Sequence, residues 1–306
     1  MNDDLCSRME QVILTLQETI CQRIEALDHR AHFREDNWRR EEGGFGISRV
    51  MQDGEIFEKA GVNMSTVWGQ LSHEAARQVR LEQAVLDGQK IPFRVTSISL
   101  VLHPHNPFVP TSHAHYRYFE YGEGEQAGYY FGGSVDLTPC YLIEEDVVHF
   151  HRLHKAVCDH YDPAYYPRFK QACDDYFYLP HRMEYRGVGG LFLGNLSSTN
   201  TEELFRLVTE CAQTFIPAYF PLVERRKDHP FSEAQKRWQR QRRGRYVEFN
   251  LLCDRGTAFG LKTGGRTESI LMTLPLSAGW EYDYHPEPGS EEAQMVEILR
   301  QPRVWV

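Results

Sequence analysis

His113, His115 and Arg117 are spaced two apart in an alternating stretch, residues 113–121, that reads as a β-strand. A strand turns every second side chain to the same side, so these three share a face. In residues 97–102, Ile98, Leu100 and Leu102 take one face, and Ser97, Ser99 and the following His103 take the other. Residues 245–253 also read as a strand, with Val247, Phe249 and Leu251 on one side and Tyr246, Glu248 and Asn250 on the other. That stretch runs into Asp254-Arg255-Gly256, and Gly264-Gly265-Arg266 adds a tight turn with a further cation. One strand of this kind is an ordinary half-exposed sheet. Several, each with His, Arg, Asp or Glu on the polar face, describe a pocket floor with cations for carboxylates and acids for ring N–H groups.

Other chemistries find less support. His103, His113, His151 and His181 are candidate metal ligands, but none belongs to a His-x-x-x-His pair on an expected helix. His113 and His115 can ligate from one strand face, yet the spacing favours solvated or hydrogen-bonded imidazoles. The seven cysteines form no Cys-x-x-Cys pair, so free buried thiols are expected rather than a zinc ribbon or a cluster site. Gly43-Gly44-Phe45-Gly46 lacks the following Lys of a phosphate loop, and no Gly-x-Ser-x-Gly occurs. The basic run at residues 237–245 reads as a solvated helix face.

These groups need a scaffold, and the rest of the chain supplies one. It has 306 residues, 41% hydrophobic and 25% charged, enough for a stable core without staples. The net charge of −9 argues against a nonspecific nucleic-acid binder and permits a locally basic pocket. No apolar run approaches a membrane span of about 20 residues. The acids Asp3 and Asp4 are unlike a targeting leader, so a soluble cytoplasmic protein is expected.

The periodicity predicts an N-terminal helix through Met9, Val12, Ile13, Leu16, Ile20, Ile24 and Leu27. Strand-like pieces flank a turn at Asp53-Gly54, and residues 128–131 read as another strand. Helices are expected at 66–86, 144–160, 165–178, 201–216 (closed by Pro217), 232–242 (with Ser232 as N-cap) and 291–300. Residues 268–274 read as a strand. No repeat or linker interrupts the chain. The expectation is one α+β domain over 1–306, a largely antiparallel sheet covered by helices, with residues 1–30 packed on it as the first helix.

The polar clusters carry a family resemblance. Ser48-Arg49-Val50, Gln52-Asp53-Gly54, Phe57-Glu58-Lys59-Ala60-Gly61-Val62-Asn63, the run from His113 through Arg117-Tyr118-Phe119-Glu120, and Asp136-Leu137-Thr138-Pro139 are part of it. So are Cys173-Asp174-Asp175-Tyr176-Phe177, Arg186-Gly187-Val188-Gly189-Gly190, Arg245-Tyr246-Val247-Glu248-Phe249-Asn250, Asp254-Arg255-Gly256 and Gly265-Arg266-Thr267-Glu268-Ser269. In this order they resemble oxygen-dependent coproporphyrinogen III oxidase. The resemblance implies a flat, mainly antiparallel sheet of about seven strands with helices on both faces. It also implies a homodimer, formed around residues 246–281. It implies that Ser99, His115, Tyr116, Arg117, Gly264, Gly265 and Arg266 bind substrate. His113 would be a proton donor, Asp136 an acid facing the pyrrole nitrogens, and Asp254 with Arg255 an essential pair. The four histidines named above match suggested metal ligands of some members, but no metal is expected to be required.

The implied reaction converts two propionates of coproporphyrinogen III to vinyls with dioxygen as co-substrate and no resident redox cofactor. Arg117, Arg255 and Arg266 suit the propionates. A carboxylate acting on a pyrrole N–H would need a pKa moved by burial or a neighbouring charge. For His115, burial and Arg117 disfavour the charged form, whereas a bound propionate favours it. The chain departs from the family pattern at Phe45, Trp68, His115, Tyr185, Gly194, Asn195, Ala258 and Gly279. These changes keep open a relative of the same fold with another tetrapyrrole or carboxylate substrate, or a tetrapyrrole binder without activity.

Overall fold

Helix α1 (Asp3–Asp28) opens the chain, and Met9, Ile13, Leu16, Ile20 and Ile24, spaced three and four apart, are buried along one stripe. The computed structural model describes residues 3–78, 80–262 and 265–306. Strands β1 (Arg34–Arg39), β2 (Gly44–Gln52) and β3 (Phe57–Gln70) follow through short turns. Two short helices, α2 (His73–Gln78) and α3 (Glu82–Leu86), lead to β4 (Pro92–Pro104), β5 (Thr111–Tyr121) and β6 (Gly128–Thr138). Helices α4 (Glu144–Tyr161) and α5 (Tyr165–Tyr176) come next. Strands β7 (Tyr178–Leu179) and β8 (Glu184–Tyr185) pair with each other, and β9 (Gly190–Phe192) joins the edge of the main sheet. Helix α6 (Thr201–Arg226) and helix α7 (Glu233–Glu248) follow, and α7 passes into a π-helical turn over Phe249–Cys253. Helices α8 (Arg255–Lys262), α9 (Thr267–Leu271) and α10 (Glu291–Arg300) complete the chain.

The main sheet has seven strands in the order β1-β2-β3-β4-β5-β6-β9, and every pairing is antiparallel. Alternation gives it two unlike faces. Val62, Met64, Ile98, Leu100, Leu102, Ala114, Tyr116, Tyr118, Val135 and Leu137 build one, packed with α1, α4 and α6 into a single core. Each of the Val, Leu, Ile and Met side chains stabilises by roughly 1.5–3 kcal/mol relative to exposure. The buried Asp28 side chain ties α1 to the β2–β3 turn by accepting from the backbone N–H groups of Ala31, Glu55, Ile56 and Phe57. No helix among the described residues is long and apolar enough to cross a membrane.

The register lines up the second face in rows. Asp36, Ser48, Asn63, Ser99, His115 and Ser134 form one cross-strand row. Val50, Gly61, Val101, His113 and Asp136 form the next, and Gly46, Ser65, Ser97, Arg117 and Gly132 lie on the other side. The side chains in the middle of this face are therefore mostly small. The segment containing α9 crosses part of it: Met272 packs on Gly61, and Ser269 hydrogen-bonds Ser48 at 2.8 Å.

The α+β class, the antiparallel sheet and most element positions agree with the sequence reading. Four stretches differ, each because tertiary context overrides local pattern. Residues 245–253 are helical, not a strand. Trp238, Gln239, Arg242, Arg243, Tyr246, Phe249 and Asn250 are buried at helical spacing, and a capping box of Ser232 and Gln235 starts that helix. Residues 268–274 hold the helix α9 rather than a strand. Residues 66–70 extend β3, paired with β4 as far as Gln70 opposite Pro92, so the helix expected over 66–86 is reduced to α2 and α3. Helix α6 runs through Pro217 and Pro221. The carbonyl that Pro221 cannot bond, that of Pro217, instead accepts from His149 Nε2 at 3.0 Å.

His103, His151 and His154 are fully buried. Burial is the largest cause that depresses them, to about 3, about 3 and about 4 respectively. Their folded pKa lies below the unfolded value, so the unfolded chain takes up protons first as pH falls below about 6.5. Stability is expected to drop by on the order of 1 kcal/mol per histidine per pH unit below that point. Melting temperature measured between pH 7.5 and 5 checks this, and a flat profile would contradict neutral burial of the three imidazoles.

Candidate active site

The site grows from strands β5 and β6, which set His113 opposite Asp136. His113 Nδ1 donates to Asp136 Oδ1 at 2.9 Å. Arg186, on the segment between β8 and β9, donates through Nη2 to both carboxylate oxygens at 2.6 Å. Arg186 is caged by aromatic rings, with its guanidinium carbon 3.8 Å from the Phe177 centroid, 4.8 Å from Tyr246 and 4.9 Å from Phe249. Burial pushes the Asp136 carboxyl up, but Arg186 and then His113 more than offset it, so it stays below the ordinary carboxylate value. An ionised Asp136 only accepts, so His113 carries its proton on Nδ1, and its Nε2 has no partner among the described residues.

Asp254 stands at the start of α8 as its N-cap. Its Oδ2 accepts from the Thr257 N–H at 2.7 Å and its Oδ1 from the Tyr176 hydroxyl at 2.6 Å. Burial raises its pKa, while Tyr176 and Thr257 lower it further, for a net shift downward. His113 adds to the lowering, and the Asp254 charge is felt at His115. Arg255 is exposed, lies 4.9 Å over the Tyr176 ring, and has no carboxylate partner among the described residues.

On the neighbouring row, His115 lies between Ser99 and Ser134. Burial first and Arg117 second push it down to about 3, so it is neutral in the free protein. Arg117 donates to Asn195 Oδ1 at 3.0 Å and points Nη1 at His115 Nε2, 3.4 Å away. It stacks 5.3 Å from the Tyr130 centroid. Gly132 makes room for this: a Cβ there would come within 3.1 Å of Arg117 Nε and 2.8 Å of the Gly194 carbonyl. Arg266 pairs with Asp36 and donates to Ser269 at 3.2 Å.

Most site residues expected from the sequence therefore meet on one face: Ser99, His113, His115, Arg117, Asp254, Arg255 and Arg266. Two are placed differently. Tyr116 lies on the opposite, core face, 1% exposed, with its hydroxyl on the Cys211 carbonyl; alternation separates it from its neighbours. Asp136 is 2% exposed and saturated by Arg186 and His113, so it positions His113 rather than facing a ligand. Neither Asp136 nor Asp254 has the raised pKa expected of a carboxylate base. Gly265 sits in the α8–α9 connection with its N–H on the Gly260 carbonyl, and Gly264 lies outside the described residues. The four candidate metal histidines do not converge. His103 bonds the Thr273 carbonyl, His151 lies between the Val188 carbonyl and Tyr166, and His181 pairs with Glu248. Among the described residues no three His, Cys, Asp or Glu side chains gather as a metal site. The seven cysteines are free, six of them buried.

Sequence reasoning gave no role to Arg186, Tyr176 or Asn195. The Arg-Gly-Val-Gly-Gly run was the only local signal for Arg186, since a glycine-flanked arginine hints at close backbone approach. Of the departures from the family pattern, His115 and Asn195 meet at Arg117. Phe45 packs against the core cluster, and Trp68 is 44% exposed at the end of β3.

Fold and site together place cations suited to carboxylates and acids suited to N–H donors on one face of an antiparallel sheet. The comparisons agree. The family profile for coproporphyrinogen III oxidase matches residues 8–305. The chain is 52% identical to the chloroplastic oxygen-dependent coproporphyrinogen-III oxidase of Glycine max, over 98% of this chain and 79% of that protein. It is 53% identical to the mitochondrial oxygen-dependent coproporphyrinogen-III oxidase of Homo sapiens, over 99% and 68%. With Arabidopsis thaliana coproporphyrinogen-III oxidase 1, also chloroplastic, it shares 51% over 98% and 79%. The chain belongs to the coproporphyrinogen III oxidase family. The cytoplasmic location expected from the sequence is overturned by these relatives, which are chloroplastic or mitochondrial. That expectation rested on the charge of a few terminal residues, which says nothing about the compartment in which the folded body works.

Asp136→Asn and Arg186→Met are each expected to destabilise by about 3–5 kcal/mol, because each strands a buried partner. The double variant should recover part of that loss, since neither uncompensated charge remains. Denaturant unfolding of the three variants tests this, and strictly additive losses would show that the two groups do not depend on each other.

Proposed function

We propose that this chain catalyses the oxygen-dependent oxidative decarboxylation of two propionates of coproporphyrinogen III, giving protoporphyrinogen IX in haem synthesis. The observation that carries this reading is the polar floor: His113 on its buried ion pair, Asp254 beside it, and Arg117, Arg255 and Arg266 around it. Identity near 50% to enzymes named for this reaction supports it.

Each step balances as one propionate, one dioxygen and one proton giving one vinyl, one carbon dioxide and one hydrogen peroxide. The bond to the carboxylate breaks, its electron pair becomes the new C=C bond, and the carbon next to the ring loses hydrogen as two electrons and a proton. Dioxygen takes up both electrons. A pyrrole ring that gives up its N–H proton is electron-rich enough to act as reductant, so no resident flavin, haem or metal is required. Arg117, Arg255 and Arg266 bind carboxylates by forked hydrogen bonds. His113 Nε2 is the site's proton carrier, held in one tautomer by Asp136. Asp254, ionised and fixed as the cap of α8, accepts from ring N–H groups.

The purified protein is expected to consume dioxygen with coproporphyrinogen III and to do nothing anaerobically. Dialysis against a chelator should leave the rate unchanged. Asp254→Asn and Arg255→Ala should each lower kcat by about 10²–10³-fold, typical of one pre-organised charge at a reacting centre. Anaerobic turnover, or a rate abolished by chelation and restored by metal, would defeat the mechanism.

The homodimer belongs to the same proposal. Leu251, Leu252, Leu261, Leu276 and Trp280 are exposed apolar side chains within residues 246–281, of the kind that a second copy would cover. Leu252→Asp should shift the sedimentation coefficient from dimer towards monomer. A native protein that sediments as a monomer would remove this part of the reading.

A further inference from the structure

The cations around the floor are not equivalent. Arg266 is half-neutralised, because Asp36 on β1 is its ion-pair partner and Ser269 takes a second N–H. Arg117 is held only by neutral groups: the Asn195 amide oxygen, the His115 ring and the Tyr130 face. Its Nε is buried and has no partner among the described residues. A buried N–H without an acceptor is costly, and a ligand oxygen that reaches it relieves that cost. Both arginines stand on the same face of the sheet. Arg117 rises from the row beside His115, and Asp36 ends the row that contains His115.

We propose that Asn195 and Asp36 set the order of strength of two carboxylate anchors: Asn195 leaves Arg117 its full charge as the strong anchor, and Asp36 competes with the ligand at Arg266, making it the weak one. This rests on the reading that the floor binds a tetracarboxylate tetrapyrrole. Both are positioning residues that act through an arginine. The neutral state of His115 supports the same distribution, since a charged imidazole would repel the guanidinium beside it. The consequence is oriented binding. One propionate stays fixed at Arg117 while the one near Arg266 exchanges with Asp36, so the ligand can let go of one rim without leaving the floor.

The experiment uses the full chain and two readouts. One is direct binding of coproporphyrin III, the oxidised ring with the same four carboxylates, followed by fluorescence. The other is the KM and kcat of turnover. Asn195→Asp places a carboxylate on Arg117 and is expected to raise Kd and KM about tenfold, with a smaller change in kcat. Asn195→Ser removes the hydrogen bond but adds no charge, and should stay within about threefold of native. Asp36→Asn frees Arg266 and should lower Kd by about threefold. The native protein's binding should weaken with added salt, and that of Asn195→Asp should weaken less. Equal affinity of native and Asn195→Asp, or weaker binding by Asp36→Asn, would overturn the proposal. If Asn195→Asp does not fold, Asp36→Asn alone decides by its direction. A native protein that neither binds the porphyrin nor turns over would instead refute the function proposed above.

Discussion

The buried pair of Asp136 and Arg186 fixes the geometry of everything else at the site. Two charges out of water are unfavourable unless every lone pair and N–H finds a partner. Here the carboxylate receives two Arg186 bonds and the His113 ring, Arg186 also donates to Asn250 Oδ1 at 3.3 Å, and the guanidinium, whose Nε alone lacks an acceptor among the described residues, lies among the faces of Phe177, Tyr246 and Phe249. Those partners come from β5, β6, α5 and its C-terminal edge, the segment before β9, and α7 with its π turn. A pair that demands groups from so many elements can exist in only one arrangement of them. It therefore specifies how the helices close over the sheet as well as how His113 points.

Above that buried layer, the sheet's alternation separates two tasks. Odd-numbered residues of β5, from His113 to Tyr121, face the floor, and even-numbered ones enter the core with α1 and α6. Small residues at Ser48, Ser65, Ser97, Ser99, Ser134 and Gly132 keep the floor low around the longer His115 and Arg117. The arginines ring it at different degrees of neutralisation. The net negative charge of the chain is no obstacle, because Asp136 is buried against Arg186, Asp254 is held as a helix cap, and Asp36 is matched by Arg266.

Strand alternation made the floor legible from residues alone. His113, His115 and Arg117 share a face in the sequence and in the structure, and Ser99 joins them through the register. The same rule already assigned Tyr116 to the other face; the family resemblance had swept it into the site because motifs are contiguous and faces are not. Arg186 was harder to see. Apart from Phe177, its partners are 50 residues away at Asp136 and 60 or more away at Tyr246 and Phe249, and no local period marks such a contact. The misread stretch at 245–253 shows the limit of a two-residue period. Val247, Phe249 and Leu251 alternate, but Tyr246, Phe249 and Asn250 also repeat at three and four, and the burial around Arg186 selects the second period. Pro217 misled for a related reason. Its carbonyl and the missing N–H of Pro221 are reconciled by His149, a partner from another helix that no local rule supplies.

For the reaction proposed above, the electrostatics of the acids and of His115 narrow which group suits proton transfer. Asp136 and Asp254 are both held below the ordinary carboxylate range, by Arg186 and His113 in one case and by Tyr176 and Thr257 in the other. A carboxylate stabilised in that way is a weak base, so taking a proton outright from a pyrrole N–H would cost it its existing hydrogen bonds. Each can still stabilise positive charge as it develops. His115 is locked in the neutral form by burial and Arg117. That leaves His113, whose Nδ1–H is anchored on Asp136 and whose Nε2 is uncommitted. An imidazole so arranged can accept a proton at Nε2 while the Asp136 carboxylate, already in place and already ionised, stabilises the cation that forms, without any further rearrangement of the buried layer.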